Sequence, residues 1–341
     1  MESPSLTHLV QFRVVSVTAE TNDAKSFRLQ ASEPLSYKPG QFLTIGIPSD
    51  RGTVARCYSM SSAPHEDDVT ITVKRTPQGY ASNWMCDHVA AGDTLTALPP
   101  SGNFVPPAQD ADVLLFAAGS GITPVMSIAK YVLTQTDRNV ALFYANRDPA
   151  AVIFAEQLRV MSKDHPERLH VVHWLEELQS LPGTADLQRF ASVYPNYSAY
   201  ACGPEPFMNA VTDALSSQGF PGDRLKREVF QSLSGNPFEI EEMVSEPGAD
   251  LSSVKGSCNG ASFDFDDWPS DVPLLQYLLS KGVDAPFSCR SGECGACCFQ
   301  LIEGAVEMEQ NDVLDADELA DGYRLACQAK PSSESIVITY D

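Results

Sequence analysis

The sequence predicts a multidomain protein with an all-β barrel, an α/β domain built on a doubly wound parallel sheet, and a small C-terminal domain that carries spaced cysteines. Short β-rich runs fill residues 8–108, and strands alternate with helical stretches over residues 109–231. A stretch rich in Gly, Pro, Ser and Glu, residues 232–257, predicts a linker before the cysteine-containing residues 258–341. The total of 341 residues suits two or three domains.

The N-terminal range has the pattern of a small barrel. Its β-rich runs, separated by Pro, Gly, Asp and Ser clusters, are residues 11–17, 27–30, 41–47 and 69–74. On a further strand, Arg56 and Tyr58 share one face because side chains alternate. The guanidinium can hold a pyrophosphate with two hydrogen bonds, and the phenol can stack on a planar ring. Gly79 then opens a helix with Ser82 in its first turn, which offers N–H groups and a hydroxyl to the same phosphates.

After a Pro-rich link at residues 99–107, strands lie between helices. A buried strand is expected at residues 112–118, and further strands are expected at residues 140–145, 169–174 and 197–201. Such alternation predicts a parallel sheet whose ligand lies at the C-terminal ends of the strands. The first strand runs into a glycine turn and a helix, an order that places the phosphates of a dinucleotide at the helix N-terminus. The candidate contacts in this turn are Gly119, Gly121 and Thr123.

The end of the second strand indicates which dinucleotide this domain prefers. Asp148 would bond ribose hydroxyls and repel a 2′-phosphate, whereas Arg147 could accept one. We therefore expect NADH rather than NADPH.

Four cysteines near the C-terminus have the spacing of a plant-type [2Fe–2S] site, with C-x4-C-x2-C and a distant fourth ligand. They are Cys289, Cys294, Cys297 and Cys327. The intervening Gly292, Gly295 and Ala296 let the backbone wrap closely around a small core, so that its N–H groups can point at sulfur. The alternatives are disulfides and a zinc site, which usually pairs two C-x2-C knuckles; the spacing favours the iron–sulfur site over both.

The charge is strongly acidic and uneven. Residues 231–341 carry 21 Asp and Glu against 5 Lys and Arg, a net charge of −16 out of −22 for the chain. Side chains such as Asp312, Asp315 and Asp317 would steer a basic protein partner, and the charge argues against nucleic acid and anionic membranes; solubility alone is the alternative. No signal peptide or membrane-spanning run is evident, so we expect a cytoplasmic protein whose cysteines stay reduced.

Two motifs in the N-terminal range carry a family resemblance. Arg56-x-Tyr58-Ser59 followed by Gly79-x-x-Ser82 resembles the flavin-binding barrel of the ferredoxin–NADP⁺ reductase superfamily. The resemblance implies FAD, with Arg56 and Ser82 at its phosphates, Tyr58 on the isoalloxazine ring and Ser59 at its N5 edge.

A third motif, Cys202-Gly203-Pro204, ends the last predicted strand and is similar to the turn that closes over the nicotinamide in this superfamily. The resemblance implies that Cys202 lies near the position of hydride transfer and that Gly203 and Pro204 shape the turn. A buried strand-end cysteine is the alternative. Glu228 is expected to help form the flavin site.

The order of the parts resembles the reductase components of multicomponent oxygenases over essentially the full length, and implies an α+β, ferredoxin-like β-grasp fold for residues 258–341. The resemblance extends to the reductases of 3-ketosteroid 9α-hydroxylases through motifs at residues 74–76, 101–106, 118–124, 144–148, 311–314 and 337–341. A nicotinamide gives two electrons as a hydride, a cluster takes one, and a flavin can hold either number. The implied path runs from NADH through FAD and the [2Fe–2S] cluster to a Rieske-type terminal oxygenase.

Other acceptors stay open at this point. They are a di-iron epoxidase of aromatic-acid CoA thioesters, another Rieske oxygenase and a hybrid-cluster protein. A redox sensor is a second class of function, and negligible reduction of dyes by NADH would distinguish it from a reductase.

Overall fold

The computed structural model describes residues 9–50, 52–106, 111–230, 232–233, 236–238, 245–314 and 316–340. Within these ranges the chain forms three main sheets, each with its own hydrophobic core, and one two-stranded ribbon. This architecture confirms the predicted fold class of barrel, doubly wound sheet and ferredoxin-like domain.

The N-terminal sheet is a six-stranded antiparallel half-barrel. Its strands are β1 (Val10–Thr21), β2 (Ala24–Ala31), β3 (Phe42–Ser49), β4 (Gly52–Ser59), β5 (Val69–Lys74) and β6 (Thr94–Ala97), in the order β4-β3-β6-β1-β2-β5. Helix α1 (Tyr80–His88) lies between β5 and β6 in the chain. Alternate apolar residues of β3, namely Leu43, Ile45 and Ile47, are fully buried, as expected of a strand with one face in a core.

The second sheet is parallel and has five strands in the order β11-β10-β7-β8-β9. Its elements are β7 (Val113–Ala118), α2 (Ile122–Gln135), β8 (Val140–Asn146), α3 (Ala155–Asp164), β9 (Leu169–Leu175), α4 (Glu176–Gln179), α5 (Thr184–Ala191), β10 (Ser198–Cys202), α6 (Glu205–Ser216) and β11 (Leu225–Glu228). The chain crosses from β9 to β10 on the other side of β7, so the order of the strands reverses there. The C-terminal ends of β7 and β10 therefore flank the crevice in which such sheets bind ligands.

The third sheet has the order β13-β12-β18-β14-β16. Its domain contains β12 (Leu251–Cys258), β13 (Ala261–Pro269), α7 (Leu274–Ser280), β14 (Cys298–Glu303), β15 (Val306–Met308), α8 (Ala316–Ala320), β16 (Tyr323–Leu325), β17 (Ala329–Pro331) and β18 (Ser335–Thr339). Strands β12 and β18 are parallel, and the other pairs of this sheet are antiparallel. The fully buried Trp268, Tyr277 and Phe299 fill its core.

The range predicted to be a linker, residues 232–257, differs from a free spacer in two ways. Strand β12 begins at Leu251, before the predicted boundary at residue 258, because pairing with β18 draws this polar segment into the sheet. Leu233 and Phe238 pack against the barrel. The remainder of this range falls partly outside the described residues.

None of the helices in the described ranges has the length and apolar content needed to cross a lipid bilayer.

Candidate functional site

The candidate flavin residues of the barrel lie on one hairpin, β3–β4. Across this hairpin Arg56 lies opposite Ile45, and Tyr58 lies opposite Leu43. Directly opposed residues project to the same side of a sheet, so Arg56 and Tyr58 share a face, as the sequence predicts. Both side chains are half-buried, and burial raises the pKa of Tyr58, so its phenol stays protonated. The pair offers a positively charged guanidinium beside a neutral phenol ring.

Helix α1 begins directly after Gly79, as predicted. A Cβ atom at Gly79 would lie 2.9 Å from the Cβ atom of Thr76, so the turn before the helix admits only glycine without a shift. The Ser82 hydroxyl accepts a hydrogen bond of 3.0 Å from the Thr76 N–H and still has its own hydrogen to donate. The first turn contains no acidic residue. This helix N-terminus can therefore receive a phosphate.

The two glycine turns predicted for the nicotinamide pack against each other. A Cβ atom at Gly121 would lie 2.1 Å from the Cys202 carbonyl oxygen, and one at Gly203 would lie 2.9 Å from the Cβ atom of Ala118. Glycine at both positions allows the ends of β7 and β10 to approach this closely. Gly119 has a φ of +54°, a conformation that favours glycine. The structure thus brings Gly119–Gly121 and Cys202–Pro204 together at the edge of the sheet where ligands bind.

The remaining candidates at this edge make local contacts. Thr123, which is buried at the start of α2, donates a hydrogen bond of 3.1 Å to the Ser120 carbonyl. Cys202 is 1% exposed, and burial raises the pKa of its thiol well above the ordinary value. The thiol is therefore neutral, which suits a residue that lines the nicotinamide position and does not act as a nucleophile.

The residues that the sequence predicts to select the dinucleotide lie just after the end of β8. Asp148 accepts a hydrogen bond of 2.9 Å from the Ala151 N–H, so one of its oxygens fixes the following turn and the other remains for a ribose hydroxyl. Arg147 is exposed, and its guanidinium lies 3.9 Å from the carboxylate of Asp23 on the barrel. Asn146 is 8% exposed, and neither atom of its amide has a hydrogen-bond partner among the described residues. The sequence pattern does not single out this buried amide.

Ser59 and Glu228 join the barrel to the parallel sheet. The Ser59 hydroxyl donates a hydrogen bond of 3.2 Å to Oε2 of Glu228, and Glu228 lies opposite Cys202 in the sheet. Burial raises the pKa of the Glu228 carboxyl from 4.5 to about 8, partly offset by the bond from Ser59. The carboxyl is therefore mostly protonated at neutral pH and can donate a hydrogen bond. The junction brings the candidate flavin edge and the candidate nicotinamide turn to the same place.

Three of the four candidate cluster cysteines receive hydrogen bonds from backbone N–H groups, and Cys327 Sγ accepts one of 3.6 Å from the side-chain N–H of Gln328. Cys294 Sγ accepts from the Cys289 N–H at 3.3 Å. Cys289 Sγ accepts from the N–H groups of Ser291 and Glu293, both at 3.4 Å. Cys297 Sγ accepts from the N–H of Cys327 at 3.4 Å. Donors aimed at sulfur stabilise thiolates, as expected for ligands of an anionic cluster.

The close approach of the cysteine sulfurs suits a cationic core between them. The pKa of Cys289 is lowered because the thiols of Cys294 and Cys327 donate to its sulfur, and the pKa of Cys294 is raised because it faces Cys289. Four adjacent thiolates need positive charge to coexist, which iron supplies. No group of three or more His, Cys, Asp or Glu within the described ranges converges on a single metal ion. A [2Fe–2S] site does not require three cysteines at one ion, because its four cysteines are shared between two irons.

The alternative of disulfides does not hold in the structure, because all nine cysteines are free. Gly292 and Gly295 adopt φ values of +78° and +69°, so the ligand loop does require glycine at these turns.

The acidic residues that the sequence predicts to steer a partner are exposed where the structure describes them. Asp312 is exposed, and its N–H donates a hydrogen bond of 3.2 Å to the Gly292 carbonyl; Asp317 is exposed on α8. Asp315 lies outside the described residues. Val313, which sequence reasoning missed, is 37% exposed, and its side chain lies beside Gly295. Val313 therefore places a partly exposed apolar side chain next to Asp312 in the chain.

Three families match the chain in the order of its domains. They are the oxidoreductase FAD-binding domain over residues 11–105, the oxidoreductase NAD-binding domain over residues 115–213, and the 2Fe-2S iron-sulfur cluster binding domain over residues 258–332.

Several relatives align with this chain over nearly its full length. The chain is 47% identical to the 3-ketosteroid-9-alpha-monooxygenase, ferredoxin reductase component, of Rhodococcus rhodochrous, over 100% of this chain and 99% of the relative. It is 30% identical to one subunit of the 1,2-phenylacetyl-CoA epoxidase of Escherichia coli (strain K12), over 96% of each. Among solved structures it is similar to phthalate dioxygenase reductase, with a TM-score of 0.61, 26% identity and coverage of 99% of this chain and 100% of that one.

Proposed function

This chain belongs to the family of ferredoxin reductase components of 3-ketosteroid 9α-monooxygenases, and we propose that it passes electrons from NADH to a Rieske-type oxygenase that hydroxylates a 3-ketosteroid at C9. It is an oxidoreductase whose cofactors are FAD, NADH and a [2Fe–2S] cluster. When bound, the nicotinamide supplies two electrons as a hydride, the flavin accepts two and releases them singly, and the cluster carries one.

The 47% identity to a 3-ketosteroid-9-alpha-monooxygenase reductase component supports the acceptor, and the hydrogen bond between Ser59 and Glu228 is the observation that carries the hydride step. It joins the strand with the flavin motif to the strand beside Cys202, so the nicotinamide and the flavin would meet at this junction. Because Glu228 is mostly protonated at neutral pH, its carboxyl can donate a hydrogen bond there without adding a negative charge.

The other barrel residues hold the flavin in this account. Arg56 binds the pyrophosphate with its guanidinium, and Ser82 with the N-terminus of α1 binds the same group through a hydroxyl and free N–H donors. Tyr58 covers one side of the ring, and its protonated phenol keeps negative charge away from a flavin that gains electrons. Gly79 permits the close turn that aims α1 at the phosphates.

Residues at the edge of the parallel sheet hold the nicotinamide nucleotide. Gly119, Gly121 and Thr123 form the turn that receives the pyrophosphate, and Asp148 binds ribose hydroxyls. Gly203 and Pro204 hold the turn after β10 against the end of β7. Cys202, buried and neutral, lines the site next to Glu228 and keeps water out.

The C-terminal domain supplies the single-electron site. Cys289, Cys294, Cys297 and Cys327 would ligate the cluster, with backbone N–H groups donating to the sulfurs of the first three. A Rieske centre has a potential of roughly −150 to +300 mV, against about −400 mV for a plant-type cluster. A gap of about 250 mV contributes roughly 6 kcal/mol for one electron, so delivery to a Rieske acceptor is effectively one-way.

Reconstitution tests the acceptor. The holoprotein, a steroid-hydroxylating Rieske oxygenase, NADH, O₂ and a 3-ketosteroid should give 9α-hydroxylated product. Because acidic residues such as Asp312 guide docking, raising the ionic strength should slow product formation far more than ferricyanide reduction by NADH. Absence of the product together with efficient coupling to a different oxygenase would contradict the steroid assignment.

The 30% identity to a subunit of 1,2-phenylacetyl-CoA epoxidase favours a second candidate acceptor, an epoxidase of aromatic-acid CoA thioesters. Replacing the oxygenase and steroid in the same assay by such an epoxidase and its thioester separates the two. The proposal predicts faster NADH-dependent product formation with the steroid pair.

A further inference from the structure

The loop that carries the first cluster ligands is fastened to the flavin barrel at both ends. The hydroxyls of Thr44 and Ser288 share a hydrogen bond of 2.6 Å, and both residues are 1% exposed. At the other end, the Asn103 side-chain N–H donates a hydrogen bond of 3.3 Å to the Gly295 carbonyl. Ser288 directly precedes Cys289, and Gly295 directly follows Cys294. The barrel therefore holds the loop on either side of two predicted ligands.

An apolar patch packs two of the loop cysteines, Cys289 and Cys294, against the barrel. Ala55 and Leu233 are buried against Cys289, with Cys57, Phe238 and Cys294 partly buried around them. A Cβ atom at Gly46 would lie 3.2 Å from the ring of Phe238, so the patch is closely packed. Tight packing of apolar and hydrogen-bonded groups is what fixes one arrangement of two domains.

The loop and the flavin residues lie on opposite faces of the same hairpin. Thr44 lies opposite Cys57 across β3 and β4, and the Cys57 sulfur is 3.8 Å from the Ser288 hydroxyl. Arg56 and Tyr58 alternate with Cys57 along β4, so they project from the other face. A single layer of two strands thus separates the candidate flavin residues from the ligand loop.

We propose that Thr44 and Asn103 are positioning residues that dock the ligand loop on the outer face of the β3–β4 hairpin, so that electrons pass from flavin to cluster across this hairpin within one molecule. This inference rests on the proposed function for the flavin site. NADH supplies a hydride to the flavin. Each later transfer removes one electron from the reduced flavin and adds one to the cluster, and two transfers with release of one proton restore the oxidised flavin. Each electron on the cluster then leaves for the external acceptor.

The expected effect is a shift towards the undocked arrangement. A hydrogen bond of this kind changes an equilibrium by about fivefold, so loss of both weakens docking by roughly 25-fold. Transfer across the hairpin should slow accordingly, while reduction of the flavin by NADH is unchanged because neither residue contacts the nicotinamide turns.

The test uses the cofactor-loaded full chain with the double variant Thr44→Val/Asn103→Ala. Thr44→Val keeps the shape of the side chain and removes its hydroxyl. The separate single variant Thr44→Ser keeps the hydroxyl and should dock like the wild type. Thr96→Val is the matched control, because its hydroxyl bonds Gln11 at the barrel surface and not the ligand loop. Two quantities are measured: amide hydrogen exchange of peptides covering residues 286–297, and the rates of flavin and cluster reduction after anaerobic mixing with NADH.

The proposal predicts faster exchange of these peptides and slower cluster reduction in the double variant, with wild-type behaviour in Thr44→Ser and Thr96→Val. Iron and FAD contents should match those of the wild type. Wild-type exchange and wild-type cluster reduction in the double variant would overturn the docking role while leaving the proposed function intact. A wild-type chain whose flavin is reduced but whose cluster stays oxidised would instead contradict the proposed function, and with it this role for the hairpin.

Discussion

Replacing Glu228 with Gln tests the junction between barrel and sheet, because the change keeps the shape of the side chain and removes its charge. Burial raises the pKa of Glu228 from 4.5 to about 8. Between these values the folded chain keeps a proton that the unfolded chain has released, so the wild type loses stability as the pH rises through this window and levels off above it. At about 1.4 kcal/mol per pH unit, the free energy of unfolding that the wild type loses relative to Glu228→Gln has an upper limit of about 5 kcal/mol.

Thermal release of FAD, followed by flavin fluorescence, measures this effect in wild type and variant between about pH 5 and about pH 9. Glu228→Gln should match the wild type at the acidic end and become progressively more stable towards the alkaline end. Glu167→Gln, an exposed glutamate of the same domain, should show no such trend. A difference between Glu228→Gln and wild type that stays constant with pH would refute the elevated pKa, and a variant that loses relative stability as the pH rises would reverse its sign.

Two further substitutions test separate parts of the site. Gly121→Ala should raise the KM for NADH by about tenfold or more, because the added Cβ atom would lie 2.1 Å from the Cys202 carbonyl oxygen and must displace the turn. Ferricyanide reduction at varied NADH concentration measures this KM. An unchanged KM would show that the turn does not hold the nucleotide. Arg56→Ala should weaken FAD binding by about tenfold to a hundredfold, the effect of losing a charge-assisted hydrogen bond. The FAD-to-protein ratio after gel filtration measures this loss. Full retention of FAD would show that Arg56 does not bind the phosphates.

The parts of the site that could be predicted are those whose chemistry is local in the sequence. The cysteine spacing predicts the ligand loop because the loop must wrap one small core, and the backbone N–H groups do point at the sulfurs of Cys289, Cys294 and Cys297. The strand before Gly119 and the helix after it follow from the apolar pattern and the glycine turn alone. Each of these elements is specified by residues within about one turn or strand of it.

The parts that could not be predicted depend on contacts between distant residues. Gly121 is needed because of the Cys202 carbonyl, and the partner of Thr44 is Ser288, far along the chain. The sequence of strand β12 predicts a linker because its residues are largely polar, and it forms a strand through pairing with β18. A lone Asn or Thr in a sequence carries no signal of such a partner, and only the folded arrangement reveals it.

We propose that electrons leave the protein through the cluster and not directly from the flavin. The Cys294→Ser substitution tests this path. The substitution removes one proposed cluster ligand, in a domain separate from the glycine turns proposed to bind NADH. The account predicts that NADH still bleaches the flavin of the variant at the wild-type rate, while NADH-dependent reduction of cytochrome c is lost together with the bound iron. Full cytochrome c reduction by an iron-depleted Cys294→Ser protein would contradict the account.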